Sequence, residues 1–192
     1  MNEKLIRTFL SIPVPPEVRT KKNMLYSTLE NSPAQINWVA NKNLHLTIKF
    51  IGFTPESSFN SIIETLKNIT ENLKPFTLKI KNTGCFPVKE RPRVLWMGVE
   101  GNTSPLVLMI SNIEKEMERL GFSKNKNDFF PHITLARVNY PQKYTPNIDK
   151  FLNSSYDPID FWLDRMQFFS SELLPSGSIH TLLQSFPFGE KI

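Results

Sequence analysis

From Asn43 to Phe50 polar and apolar residues alternate strictly, with Leu44, Leu46, Ile48 and Phe50 on one face and His45, Thr47 and Lys49 on the other. That period of two predicts a half-buried strand. Phe130 to Val138 repeats the pattern, Ile133 and Leu135 standing opposite His132, Thr134 and Ala136. Strands are also predicted over Leu5 to Val14, which stops at a proline cluster, over Phe76 to Lys81, and over Val94 to Val99. Gly84-Cys85-Phe86-Pro87 interrupts the alternation between the last two, and Ile36 to Val39 is a short apolar run. Helical spacing appears over Pro15 to Glu30. It returns from Thr54-Pro55-Glu56 to about Asn72 through Phe59, Ile62, Ile63, Leu66 and Ile69. A third helix opens at Ser104-Pro105, repeats Leu106, Ile110, Ile113, Met117 and Leu120 at three- and four-residue steps, and ends at Gly121. Asn139 to Pro158 reads as a loop enclosing a short helix at Ile148 to Leu152. Ile159 to Phe169 and Ile179 to Phe186 read as two closing strands joined through Pro175-Ser176-Gly177.

Helices and strands thus alternate irregularly with short strand-to-strand links, which favours an α+β fold with antiparallel sheets over a doubly wound parallel one. Two similar halves emerge, each an amphipathic helix beside a His-x-Thr strand. No glycine-rich phosphate loop supports a nucleotide-binding α/β reading.

Composition narrows the class. The chain has 192 residues, 40% hydrophobic, 11% aromatic and 21% charged, with one cysteine and a net charge of +5. Those values fit a packed domain and exclude a disordered tail, a collagen-like chain or a coiled coil. A lone Cys85 forms no intrachain disulfide and no cysteine zinc cluster, so a cytoplasmic location is expected. No run approaches the roughly 20 apolar residues of a membrane span, so no membrane partner is expected. The positive charge is compatible with a polyanionic partner and equally with plain solubility.

Two of the three histidines share one local pattern: Leu44-His45-Leu46-Thr47-Ile48 and Pro131-His132-Ile133-Thr134-Leu135. By composition that coincidence arises at about the one per cent level. A single His-x-Thr strand is ordinarily the polar face of a half-buried sheet, and two together change the balance. On each strand the imidazole and hydroxyl project from the same face while Leu46 or Ile133 anchors the other. If the two faces meet about a pseudo-twofold axis, the cleft holds two imidazoles and two hydroxyls without a carboxylate, an arrangement suited to an anion. Histidines with ordinary pKa values near 6.5 can stand in opposite protonation states at neutral pH, one as base and one as acid. In-line displacement at a phosphodiester requires that pairing. A metal site would lack its third and fourth ligands, so no metal is expected.

These residues resemble the two signature tetrapeptides of the 2H phosphoesterase superfamily. The chain is similar to its RNA 2′,3′-cyclic phosphodiesterase branch, also called the 2′-5′ RNA ligase family. The likeness extends to Arg7-Thr8-Phe9-Leu10-Ser11-Ile12, Trp38-Val39, Arg91-Pro92-Arg93-Val94-Leu95-Trp96, Phe130 to Arg137 and Ser170 to Gly177. Departures are Pro13, where the family usually has an acidic residue, and His180, where an aromatic is common. The resemblance implies a bilobal α+β fold, one domain over 1–192 built of two interleaved lobes facing across a cleft.

It further implies opening of a 2′,3′-cyclic phosphate at an RNA 3′ end to a 2′-phosphomonoester, without cofactor or metal. His45 would be the proton donor, His132 the proton acceptor, and Thr47 and Thr134 phosphate ligands. Reversal with a 5′-hydroxyl in place of water would give 2′-5′ ligation without ATP. Rival readings are a relative acting on another cyclic or oligoadenylate phosphodiester, and a non-catalytic RNA-binding module. The RNA end is the expected partner and the monomer the expected state. Arg137 is carried over as a phosphate ligand, although strand parity sets it on the Ile133 and Leu135 face unless a bulge re-aims it. Phe9 and Phe86 are candidates to stack a nucleobase, against the alternative of core packing. Lys79, Lys81, Lys89, Arg91 and Arg93 form a basic cluster that either lines a path for RNA phosphates or is a solvated strand face.

Overall fold

The alternating segments pair into one antiparallel sheet. In the computed structural model, which describes residues 3–174 and 177–189, the strands are β1 (Leu5–Pro13), β2 (Ile36–Trp38), β3 (His45–Pro55), β4 (Phe76–Phe86), β5 (Val94–Glu100), β6 (His132–Val138), β7 (Ile159–Leu163), β8 (Arg165–Leu174) and β9 (Gly177–Pro187). Pro175 and Ser176 of the expected closing turn lie outside the described residues. The helices are α1 (Glu17–Ser27), α2 (Phe59–Thr70), α3 (Ser104–Arg119) and the short α4 (Asp149–Leu152). The architecture is α+β, with sheet order β7-β4-β5-β6-β3-β1-β8-β9 and β2 added beside β6.

The two halves are β3-β1-β8-β9 and β6-β5-β4-β7, joined where Leu46 of β3 faces Ile133 of β6. Each half contains the same unit: β1, α1 and β3 in one, β5, α3 and β6 in the other, with the two strands of each unit antiparallel neighbours. One sheet face and the helices share the core. Leu106, Ile110, Ile113 and Met117 of α3 and Ile62 and Leu66 of α2 meet Leu10, Ile12, Leu46, Ile133 and Leu135 there. Each fully buried side chain of this kind contributes about 1.5–3 kcal/mol.

Three expectations change. Ile159 to Phe169 is not one strand: it divides at Asp164, β7 pairing with β4 and β8 with β1. Six strand positions separate β7 from β8, about 29 Å on a flat sheet at the usual spacing. A single linking residue spans no more than about 7 Å, so the sheet must curl until its two halves approach. β4 continues through Gly84-Cys85-Phe86, where a break was expected. A Cβ at position 84 would collide with the Trp96 ring, so glycine here admits an indole across the strand pair and does not end the strand. β3 persists to Pro55 before a 3-10 turn over Glu56–Ser58 leads into α2, later than the Thr54 start expected.

Bulges explain the length of β3. Opposite β1, Ser11 faces Thr47 and Leu10 faces Lys49, leaving Ile48 as an extra residue; Ile51 is extra in the same way. Each bulge reverses which residues face the core.

Candidate active site

The Leu46–Ile133 register sets His45 opposite Thr134 and Thr47 opposite His132, so all four polar motif residues share one face. The two imidazoles occupy a diagonal of that square. Leu46 and Ile133 are fully buried behind it, which fixes the strands from the other side.

The site face is concave. β3 and β9 are three strand positions apart, about 14 Å on a flat sheet, yet the rings of His45 and His180 stand 5.6 Å apart, centroid to centroid. The histidines line an open groove; cavities of about 280 and 260 Å³ lie elsewhere, beside α2 and α3 and beyond the end of β6.

Both motif histidines are held by the same device. His45 Nδ1 lies 2.7 Å from the Asn43 carbonyl and His132 Nδ1 lies 2.8 Å from the Phe130 carbonyl, two residues upstream in each case. A carbonyl only accepts, so each Nδ1 carries the proton and each Nε2 is left for the groove. Asn43 also donates its side-chain amide to the Ser178 carbonyl at 2.7 Å, tying β9 to the loop that orients His45.

The electrostatics differ from the ordinary pKa values expected of the pair. Burial pushes His45 down to about 4; the Asn43 carbonyl opposes this, and positive charge on His180, Arg137 and His132 adds to it. Burial also lowers His132, the Phe130 carbonyl opposing and Arg137 reinforcing, and burial lowers His180. In the unliganded protein both motif imidazoles are therefore neutral at pH 7.

Arg137 is re-aimed as a bulge allows. Trp96 faces Thr134 while Leu95 faces Ala136, so Leu135 is extra, Ala136 takes the core position and Arg137 returns to the face of His132 and Thr134. β3 uses the same arrangement: Ile48 is extra, Lys49 turns into the core, and Phe50 emerges 58% exposed on the site face. The sequence pattern alone places Phe50 in the core and Lys49 outside. Cation and aromatic thus hold equivalent places in the two halves, Arg137 in one and Phe50 in the other.

Phe9 has a different position from a base-stacking residue. It is 2% exposed, stacked at 4.9 Å on His45 and at 5.5 Å on Phe169, with the edge of His180 at 4.9 Å. No face is open to a nucleobase, so Phe9 supports the His45 ring. Phe86 packs edge-on against His132 at 5.0 Å in a cluster with Trp96 and Phe130. His180 and Phe50 are the residues that sequence reasoning missed. The first lies outside any motif, and the second is hidden by the bulge.

Of the basic cluster, Lys79 and Lys89 are paired with Asp160 and Asp149. Arg91 and Arg93 instead flank the ring of Tyr140. Among the described residues no three His, Cys, Asp or Glu side chains gather as a metal site, and no helix is long and apolar enough to cross a membrane.

Comparison with known proteins bears on the family and the fold. A curated Thermotoga maritima protein named RNA 2′,3′-cyclic phosphodiesterase is 34% identical over 184 residues, covering 95% of this chain and 96% of its own. A crystal structure from Thermus thermophilus superposes with a TM-score of 0.76 at 25% identity, over 97% of this chain and all of that one. Escherichia coli LigT, solved with 3′-AMP, shares the fold with a TM-score of 0.77 at 21% identity, over 96% of this chain and 98% of its own. The family described as LigT-like phosphoesterase matches residues 12–96 and 99–180, and the chain belongs to that family.

Proposed function

We propose that the chain hydrolyses RNA 2′,3′-cyclic phosphate ends to 2′-phosphomonoesters in the groove between the two halves. The observation that carries this reading is the facing pair of His-x-Thr strands, each imidazole presenting Nε2 to the same groove. Two neutral imidazoles and two hydroxyls beside Arg137 suit a phosphate monoanion. The anion in turn favours the charged form of the imidazole it touches.

In the proposed reaction His132 Nε2 takes a proton from water as the oxygen attacks phosphorus. The bond from phosphorus to the 3′-oxygen breaks, and protonated His45 delivers its Nε2 proton to that oxygen. The products are a 2′-phosphomonoester and a 3′-hydroxyl, and the histidines exchange their proton with solvent. His45 is the more depressed of the two in the free protein, so its role as acid depends on proton uptake with the substrate. Thr47 and Thr134 donate to non-bridging oxygens without adding charge, and Arg137 offers a two-pronged contact to the same phosphate. Phe50 supplies the exposed aromatic face that Phe9 lacks, in position to stack the terminal base. The same chemistry with a 5′-hydroxyl replacing water yields a 2′-5′ linkage. The working state is a metal-free monomer.

Incubation with EDTA and a short RNA ending in 2′,3′-cyclic phosphate tests the proposal. A 2′-phosphomonoester is expected, in wild type and not in His45→Ala or His132→Ala. A 3′-phosphomonoester, undiminished turnover in both variants, or activity restored only by added metal would overturn it.

A further inference from the structure

Arg91 and Arg93 bracket one tyrosine. The guanidinium carbon of Arg93 stands 3.7 Å from the centre of the Tyr140 ring and that of Arg91 5.3 Å from it. Tyr140 is 55% exposed, and among the described residues neither arginine has a carboxylate partner. Arg91 also donates from Nη2 to the Tyr140 hydroxyl at 3.4 Å, while the guanidinium of Arg93, stacked on the ring, keeps its N–H edge free and its plane fixed, which prepares it for a phosphate at little ordering cost.

The stack stands just beyond the ends of the strands that carry Arg137 and its neighbour Val94. Arg137 lies opposite Val94 on one side and Asn37 on the other, and Asn139 is two residues farther along the same face. Asn37 donates to Asn139, and Asn139 donates at 2.7 Å to Gln35. These amides lead into the 260 Å³ cavity, lined by Gln35, Asn139, Gln142, Lys143 and Tyr144. From Arg137 to Tyr140 is three residues, roughly 10 Å of extended chain. Beyond Arg137 the chain therefore presents amides, an aromatic ring and cations without a carboxylate partner, the groups that hold single-stranded nucleic acid.

We propose that Arg91, Tyr140, Arg93 and the adjoining amide-lined cavity form a subsite for the nucleotides that precede the cyclic phosphate end. The preferred substrate is then an RNA strand and not a cyclic mononucleotide. The inference rests on the hydrolase reading above and locates the rest of that substrate.

The test compares a 2′,3′-cyclic mononucleotide with an RNA of about eight nucleotides ending in 2′,3′-cyclic phosphate. The variants are Arg91→Gln with Arg93→Gln and, separately, Tyr140→Ala. For the RNA, KM is expected to rise about tenfold in each, while kcat/KM for the mononucleotide stays within about twofold. In the double arginine variant the log–log salt slope of RNA binding should flatten by about 1.4, two single-strand phosphate contacts at about 0.7 each. Equal effects on both substrates, or an unchanged KM for RNA, overturn the subsite. Binding of a fluorescent RNA of the same length, measured without turnover, decides the question separately. If wild type binds that RNA and the variants do not, but neither substrate is turned over, the hydrolase reading fails and the subsite stands.

Discussion

Lys49 Nζ lies 2.6 Å from Glu114 Oε2 and 2.9 Å from the Ser123 carbonyl, on a lysine that is 1% exposed. The pair closes the core side of the bulge that turns Phe50 outward. Removing one partner strands the other, whereas replacing both with apolar residues of similar volume need not destabilise. Lys49→Ala should therefore lower stability by about 3–5 kcal/mol and Lys49→Met with Glu114→Leu by much less. Urea unfolding of the three proteins checks this; a single-variant loss below about 1 kcal/mol would show that the ion pair does not hold the bulge.

Acid should destabilise the protein through His45. Its pKa is about 4 folded and near 6.5 in a free chain. The folded state prefers the neutral ring, so this stability is complete above about pH 6.5 and is lost as pH falls toward 4. The loss is at most about 3 kcal/mol. His45→Gln should flatten the stability curve across that window, and an unchanged curve would contradict a desolvated His45 ring.

Phosphate binding should take up protons. The groove holds two imidazoles depressed by burial, and an anion between them raises both. Affinity for inorganic phosphate or a 2′-nucleotide is expected to strengthen from pH 8 to pH 6. Calorimetry in buffers of different ionisation enthalpy should register net uptake at pH 7; zero uptake is the contrary result.

The assignment of acid and base separates on leaving groups. With an activated aryl ester of a nucleoside phosphate, whose leaving group needs no proton, His45→Ala should regain most of its lost kcat/KM and His132→Ala should not. Rescue of His132→Ala alone would reverse the two roles.

His180 should tune His45. Phenylalanine at 180 preserves the edge contact with Phe9 and removes the charge 5.6 Å from the His45 ring. Nitrogen-detected NMR titration of His45 is expected to move to higher pH in His180→Phe. No movement would mean that the two rings meet only as packing.

The strands that carry the chemistry were legible because alternation is a local property: Leu46 and Ile133 go inward, so their neighbours go outward. The places where reading failed are those where one residue changes parity without a marker. Ile48 and Leu135 look like ordinary strand residues, and only pairing with β1 and β5 shows them to be extra. Asp164 is passed over for a related reason: the apolar alternation shifts phase there, from Leu163 to Met166, and resumes at once while the chain changes halves. Gly84 misled in the opposite direction, because a residue that often ends strands serves here to admit an indole.

The Asp164 crossing also limits how the groove can move. The halves are stitched at several places, among them the Leu46–Ile133 pair, the pairing of β2 with β6, the Lys49–Glu114 ion pair and the one-residue passage from β7 to β8, where the Phe188 amide donates to the Asp164 carbonyl at 2.7 Å. A hinge needs one free edge, and this molecule has its two halves fastened along separate lines. Swinging one half away from the other would have to break at least one of these links. Entry and departure of an RNA end then occur along a standing trough, and turnover need not wait for a lid.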